Sequence, residues 1–95
     1  MNRYDLVLLG LILEKERSGY DIITEISSRE LDRWANLSTS TVYNRLTTLE
    51  KNECILGRTE REGNRPERMM YSITEKGKDV LRKEVLKHLT GFNDD

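Results

Sequence analysis

The sequence predicts a mainly α-helical domain with a small β-hairpin, in the order α-α-α-β-β-α. Apolar residues recur at helical spacing in four segments, three before residue 53 and one after residue 74. Between residues 54 and 73 the period changes to alternation, in two short runs around Gly63-Asn64-Arg65-Pro66. Ser18, Ser38 and Thr74 stand just ahead of three of the helical segments, as N-caps do.

The first segment, RYDLVLLGLILE at residues 3–14, is apolar nearly all round. A buried strand is the competing assignment, but the length favours a helix covered on more than one side. Ser18 followed by Asp21 makes a variant of the capping box ahead of GYDIITEISSREL. Ile22, Ile23 and Ile26 line one stripe of this second helix. Polar RELDRWAN follows as a loop, with Trp34 expected as a lid on the core and, less simply, as a ligand-stacking ring.

The third helix is expected from Thr39 to Asn52, with Val42, Leu46 and Leu49 on one narrow arc. Ser40, Asn44, Thr47 and Lys51 project from the opposite arc. Tyr43 lies on one flank, Thr41 and Thr48 on the other. Solvated helix faces favour Glu and Lys, which are good helix formers. A row of Ser, Thr and Asn is costly for a helix, and it suits hydrogen bonds to phosphates and base edges.

CILGRTERE and RMMYSI then form the hairpin. Ile55 faces the core from the first strand, and Met69, Tyr71 and Ile73 share one face of the second. The connection exceeds a two-residue turn and its tip is basic. Thr74 caps the last helix, TEKGKDVLRKEVLKHL, which ends before Gly91. Val80, Leu81, Val85, Leu86 and Leu89 cover well over half its circumference. One face can pack on the domain and the rest needs a partner, so Leu81, Val85 and Leu89 are expected in a homodimer interface. Residues 1–90 then form one domain, with a dimerisation helix at about 75–90 and a tail at 91–95.

A polar third helix and a basic hairpin tip in this order make a winged helix-turn-helix. The third helix is expected in the major groove of double-stranded DNA, and the wing on the flanking backbone or minor groove. Ser38 caps the helix, while Thr39, Ser40 and Thr41 sit where free N–H groups and the helix dipole favour a phosphate. Candidate DNA contacts are Ser38, Thr39, Ser40, Thr41, Tyr43, Asn44, Thr47 and Lys51, with Arg61, Arg65 and Arg68 on the wing.

Composition sets the bounds. The 95 residues suit one small domain, near the size where oligomerisation often assists. Sixteen basic against 17 acidic residues give a net charge of −1, so global charge makes no case for nucleic acid. Arg58, Arg61, Arg65 and Arg68 cluster in the hairpin, diluted by Glu60, Glu62 and Glu67. Cys54 is the only cysteine, which excludes an intrachain disulfide and a cysteine-held zinc. The apolar run Leu6–Leu13 is far below the roughly 20 residues of a membrane span, and no signal peptide is visible, so a cytoplasmic protein without membrane association is expected. No Gly-rich phosphate loop, HExxH or nucleophile elbow is present, and the sole histidine, His88, suits the last helical turn. No enzyme, cofactor or metal is expected.

Three pieces together resemble the PadR family of transcriptional regulators, from about Leu6 to Leu89. SGYDI at 18–22 resembles the family's "HGYEI". LSTSTVYNRLTTLEKNECI at 37–55 is similar to "LSPGSIYPALKRLEEEGLI", and GNRPERMMYSITEKG at 63–77 to "GRPERKVYSITEEG". The resemblance implies a homodimeric repressor on a palindromic operator, released by a small molecule or another signal. It places Ser38, Ser40, Tyr43 and Asn44 on the recognition helix, and Arg65 and Arg68 on the wing. Three positions depart from the pattern: Thr39-Ser40 replace Pro-Gly, Glu53 replaces a glycine, and Met69 replaces a frequent lysine. Many family members continue into a helical dimerisation domain, whereas short ones rely on the last helix alone. An effector pocket is expected between the first and fourth helices of the dimer, with Trp34, Phe92 and the methionines suggesting an aromatic or apolar ligand. A winged helix used for protein contact and a MarR-type regulator are the alternative readings.

Overall fold

A computed structural model describes residues 3–30 and 38–90, with Thr90 described in its backbone only. The expectations for Trp34, Phe92 and the 91–95 tail lie outside the described residues. The elements are α1 (Arg3–Glu14), β1 (Arg17–Ser18), α2 (Gly19–Ser28), α3 (Thr39–Lys51), β2 (Ile55–Glu60), β3 (Arg68–Ile73) and α4 (Glu75–Thr90).

Helix α1 is the central element because its sequence is apolar on most sides. It buries Leu8, Leu9, Leu11 and Ile12 and packs against α2, α3, α4 and β3. Its own domain therefore supplies most of the cover that the sequence called for. Leu13, half exposed, is the part left over. Ile22 and Ile26 of α2, Val42, Leu46 and Leu49 of α3, Cys54 just ahead of β2 and Ile55 at its start complete the core, with Ile23, Tyr71, Ile73, Val80 and Leu81 packed around it.

No basic residue lies in the last turn of α1. Arg17 reaches back instead, only 4% exposed. Its Nε–H donates to the Leu11 carbonyl at 2.8 Å and an Nη–H to Glu14 at 2.7 Å. A cation thus satisfies a terminal carbonyl at the negative end of the helix dipole. Arg17 and Ser18 also form β1, opposite Tyr71 and Met70 of β3. Alternation in the sequence predicts two strands, but the sheet has three, in the order β1-β3-β2. Two residues are too short to display an alternation.

Ser18 then caps α2 in a complete capping box. Asp21 N–H donates to Ser18 Oγ and Ser18 N–H to Asp21 Oδ2, both at 3.1 Å. The latter bond, from the Ser18 backbone, holds the Asp21 carboxyl below the usual range.

At the other end of α3, the Cys54 N–H donates to the Leu49 carbonyl and the Glu53 N–H to that of Glu50. This is a Schellman closure, and its left-handed residue is Glu53 at φ 63°. The adjoining Cys54 carbonyl accepts from the Thr74 N–H at 3.1 Å, while Thr74 Oγ1 donates to the Glu53 carbonyl at 2.6 Å. The same oxygen accepts from the Gly77 N–H at 2.9 Å, capping α4 as the sequence suggested. A Cβ on Gly77 would run into the Cys54 carbonyl oxygen, so glycine is what lets α4 sit against the end of α3.

Strands β2 and β3 pair antiparallel from Ile55↔Ile73 to Glu60↔Arg68. Tyr71 and Ile73 pack on the core as expected. Met69 does not, being 41% exposed, while Met70 on the other face is 8% exposed. β3 lies at the centre of the sheet, where Met70 pairs with the buried Ser18 of β1 and Met69 with the exposed Thr59 of β2.

One ion pair spans the core. Arg45, in the middle of α3, meets Asp5 of α1 in a bidentate fork, Nε–Oδ1 at 2.8 Å and Nη2–Oδ2 at 2.9 Å. The Asp5 side chain is 3% exposed and that of Arg45 29%. Desolvation falls mainly on the carboxylate, so the two partners are not equivalent. Removing the arginine takes the bidentate partner from a buried carboxylate; removing the acid leaves a cation that water can reach.

Two predictions follow from these junctions. Arg45→Met should destabilise the domain by about 3 kcal/mol and Asp5→Asn by about half as much, in urea denaturation. Equal costs, or costs near zero, would show that the fork carries no such asymmetry. Glu53→Gly should stabilise by about 1 kcal/mol, because glycine adopts the left-handed closure without a Cβ clash. An unchanged midpoint in the same denaturation would count against strain at this residue.

Candidate nucleic-acid interface

The four hydroxyls that open α3 separate into two kinds. The Thr41 N–H donates to Ser38 Oγ at 3.2 Å, and the two hydroxyl oxygens lie 2.9 Å apart. Ser38 and Thr41 therefore satisfy each other. Thr39 and Ser40 are exposed and have no side-chain hydrogen bond among the described residues. These two hold the hydroxyls available to a ligand at this helix N-terminus.

Farther along, Asn44, Thr47 and Lys51 are exposed on the expected outer arc. Thr47 Oγ1 donates to the Tyr43 carbonyl at 3.0 Å and Thr48 Oγ1 to the Asn44 carbonyl at 3.1 Å. Their protons are thus spent inside the helix, and Thr47 presents only acceptor lone pairs and a methyl group outward. Asn44 keeps a complete amide, with two donors and an acceptor. Arg45, the cation in the middle of this helix, turns inward to Asp5 and leaves the outer face uncharged until Lys51.

Tyr43 lies on the flank toward α2. A Cβ on Gly19 would come within 2.6 Å of Tyr43 Cε1 and 3.3 Å of its hydroxyl oxygen. The ring rests on the bare backbone of Gly19 at the start of α2. Between that start and the wing runs an open groove of about 680 Å³, walled by Gly19, Tyr20, Tyr43, Pro66, Arg68 and Met69. Tyr20 is 73% exposed, and it is absent from the candidates chosen on sequence. Its signal was present in SGYDI, but helix periodicity alone does not tell which neighbour an exposed ring will face.

The hairpin divides its arginines by what faces them. Arg58 is drawn back, donating to Glu16 at 2.6 Å and lying 3.1 Å from Glu60. Those carboxylates hold its guanidinium above its ordinary value, and Arg58 in turn lowers Glu16. Arg68 touches Glu60 only at 3.4 Å. Arg61 and Arg65 are exposed and without an ion-pair partner among the described residues. Three of the four cations therefore remain for an outside anion, and they are Arg61, Arg65 and Arg68.

On another side, Leu13 of α1 and Leu81, Val85 and Leu86 of α4 line an apolar depression of about 370 Å³. Leu81 packs partly on its own core, whereas Val85, Leu86 and Leu89 are 46%, 51% and 60% exposed. Leu13 and Leu86 extend the face beyond the three residues chosen on sequence. Among the described residues no three His, Cys, Asp or Glu side chains are placed to hold a metal, and no helix is long and apolar enough to cross a membrane.

Comparison with known proteins agrees with this geometry. The family described as "Transcriptional regulator PadR-like family" matches residues 8–83. Among curated proteins, the chain is 35% identical over 81 residues to the negative transcriptional regulator PadR of Bacillus subtilis, covering 85% of this chain and 44% of that protein. The chain thus spans less than half the length of that relative. Among solved structures, it is similar to B. subtilis PadR in complex with operator DNA, at TM-score 0.79 and 31% identity, over 88% of this chain and 47% of the other. A PadR family transcription regulator from Clostridium difficile R20291 matches at TM-score 0.76 and 25% identity, over 96% and 90% of the two chains. A PadR-like regulator from Bacillus cereus, at 22% identity and TM-score 0.71, shares the fold. The family is one of transcriptional regulators, not of enzymes, and this chain, a winged helix by its own geometry, belongs to the PadR-like family of transcriptional regulators.

Proposed function

We propose that the chain is a cytoplasmic, homodimeric repressor that binds a palindromic DNA operator through α3 and the wing. The observation that carries this reading is the outer face of α3. Ser40, Asn44 and Thr47 are short, uncharged and exposed on a helix held rigidly from behind by the Arg45–Asp5 fork. Short side chains let a helix approach the floor of the major groove, and an Asn amide pairs bidentately with adenine. Thr39 and Ser40, with Ser38 and Thr41 behind them, suit a backbone phosphate at the helix N-terminus. Lys51, Arg61, Arg65 and Arg68 add phosphate contacts at either end. The operator-bound structure of the B. subtilis relative supports DNA as partner, and its description as a negative regulator supports repression.

The dimer rests on the apolar face of α1 and α4. Leu13, Leu81, Val85, Leu86 and Leu89 form a surface that a two-fold partner would cover, making α4 the dimerisation helix. Two recognition helices related by a two-fold axis then read a palindrome. Release by a small apolar or aromatic effector fits a pocket on that same face.

Selection of bound sequences from a random duplex pool tests the DNA reading. The parent should enrich a palindromic site. Asn44→Ala should relax preference at one position per half-site, a loss of about 1–3 kcal/mol of discrimination. No enrichment by the parent would favour a winged helix used for protein contact, and unchanged preference in the variant would remove Asn44 from base readout.

For the dimer, sedimentation at micromolar concentration should give twice the 11.2 kDa chain mass. Leu86→Glu together with Leu89→Glu should return the chain to monomer with its melting profile largely kept. A parent that sediments as monomer would overturn this part.

A further inference from the structure

We propose that the groove between the start of α2 and the wing seats one deoxyribose–phosphate unit of bound DNA. In this arrangement Tyr20 contacts the sugar, Arg68 and the Tyr43 hydroxyl hold the phosphate, and Gly19 is the positioning residue for Tyr43. The inference rests on the DNA-binding reading and extends it to a third element, α2, outside the recognition helix and the wing.

Three features converge on this groove. Tyr20, Tyr43 and Met69, exposed by 73%, 45% and 41%, all wall the same cleft of about 680 Å³. A small domain seldom leaves three large side chains exposed side by side unless something lies against them. The cleft is also placed between the two elements read as DNA-binding. On the DNA-binding reading, strand backbone passing from α3 to the wing would cross it.

The chemistry matches one nucleotide of backbone. Ring faces, a thioether and the Pro66 ring offer apolar contact to the C–H groups of a sugar. A guanidinium and phenolic hydroxyls offer donors to phosphate oxygens. Arg68 is held by Glu60 only at 3.4 Å, so a phosphate can replace that contact at small cost.

Gly19 explains why the wall has this shape. With any side chain at residue 19, a Cβ 2.6 Å from Tyr43 Cε1 would force the ring off the α2 backbone and change this wall of the cleft. Gly19 therefore acts on DNA through Tyr43 and not by contact.

The test uses the selected duplex carrying a single neutral methylphosphonate at each backbone position in turn. At one position per half-site the parent should lose roughly tenfold in affinity, as expected for a lost charge-assisted hydrogen bond. Arg68→Ala should bind the unmodified duplex more weakly and show no further loss at that position. Tyr20→Ala should weaken binding several-fold with its selected sequence unchanged. Gly19→Ala should weaken the parent, yet add nothing in a Tyr43→Ala background, where a merely structural role would still register. If the parent binds its duplex but Tyr20→Ala stays within twofold and no phosphate is coupled to Arg68, the groove is not a backbone seat, and DNA binding by α3 stands. If the parent selects no sequence, the seat and the DNA reading fall together.

Discussion

Arg45 faces away from the surface that α3 presents to solvent, and its fork with Asp5 sets the rotation of that helix about its own axis. Val42, Leu46 and Leu49 already direct one side of α3 toward the core. Apolar contacts are non-directional, however, and define the orientation of a helix less sharply than a polar contact does. A bidentate fork with both hydrogen bonds at 2.8–2.9 Å adds that directional constraint. The outer row of Ser40, Asn44 and Thr47 inherits its direction from this pair. The anchor lies on α1, the helix that also touches α2, α4 and β3, so the outer face of α3 is registered against the whole domain.

The charge balance of the domain gives this registration its importance. With a net charge of −1, long-range attraction to a polyanion is weak. Hairpin cations are partly consumed at home, since Arg58 is committed to Glu16 and Glu60. On the proposed reading, affinity for DNA would then come from contacts made at close range, which depend on exact placement. Thr47 and Thr48 return their protons to the helix, leaving Asn44 as the residue with the fullest hydrogen-bonding capacity on the outer face. A rigid mount and a sparse, uncharged face are consistent with specificity taking precedence over bulk attraction.

The junction at Cys54 gives the wing and α4 a comparable mount. One carbonyl receives the Thr74 N–H, and Gly77 is bare where α4 crosses it. Helix α3 ends, the hairpin begins and α4 starts within a few ångströms of this point. A change in the packing of α4 therefore has a short path to the end of α3. Glu53 closes that turn in the left-handed region without glycine's freedom, which places backbone strain at the same junction.

Much of this was legible in the chain itself. The order of elements, the three caps at Ser18, Ser38 and Thr74, the inward arc of α3 and the basic hairpin tip all arise from local rules. Helical period, strand alternation and side-chain capping act within a few residues, so sequence alone determines them. Tertiary structure decided the rest. Arg45 reads as one more cation on a candidate DNA helix until Asp5, forty residues away, turns it inward. β1 is too short to show a period and exists only because β3 lies beside it, with Ser18 opposite the buried Met70. Tyr20 gains its meaning from Tyr43 and Arg68 across the groove. In each case the deciding partner is distant in sequence, and pairing across such distances is a property of packing, which no local pattern encodes.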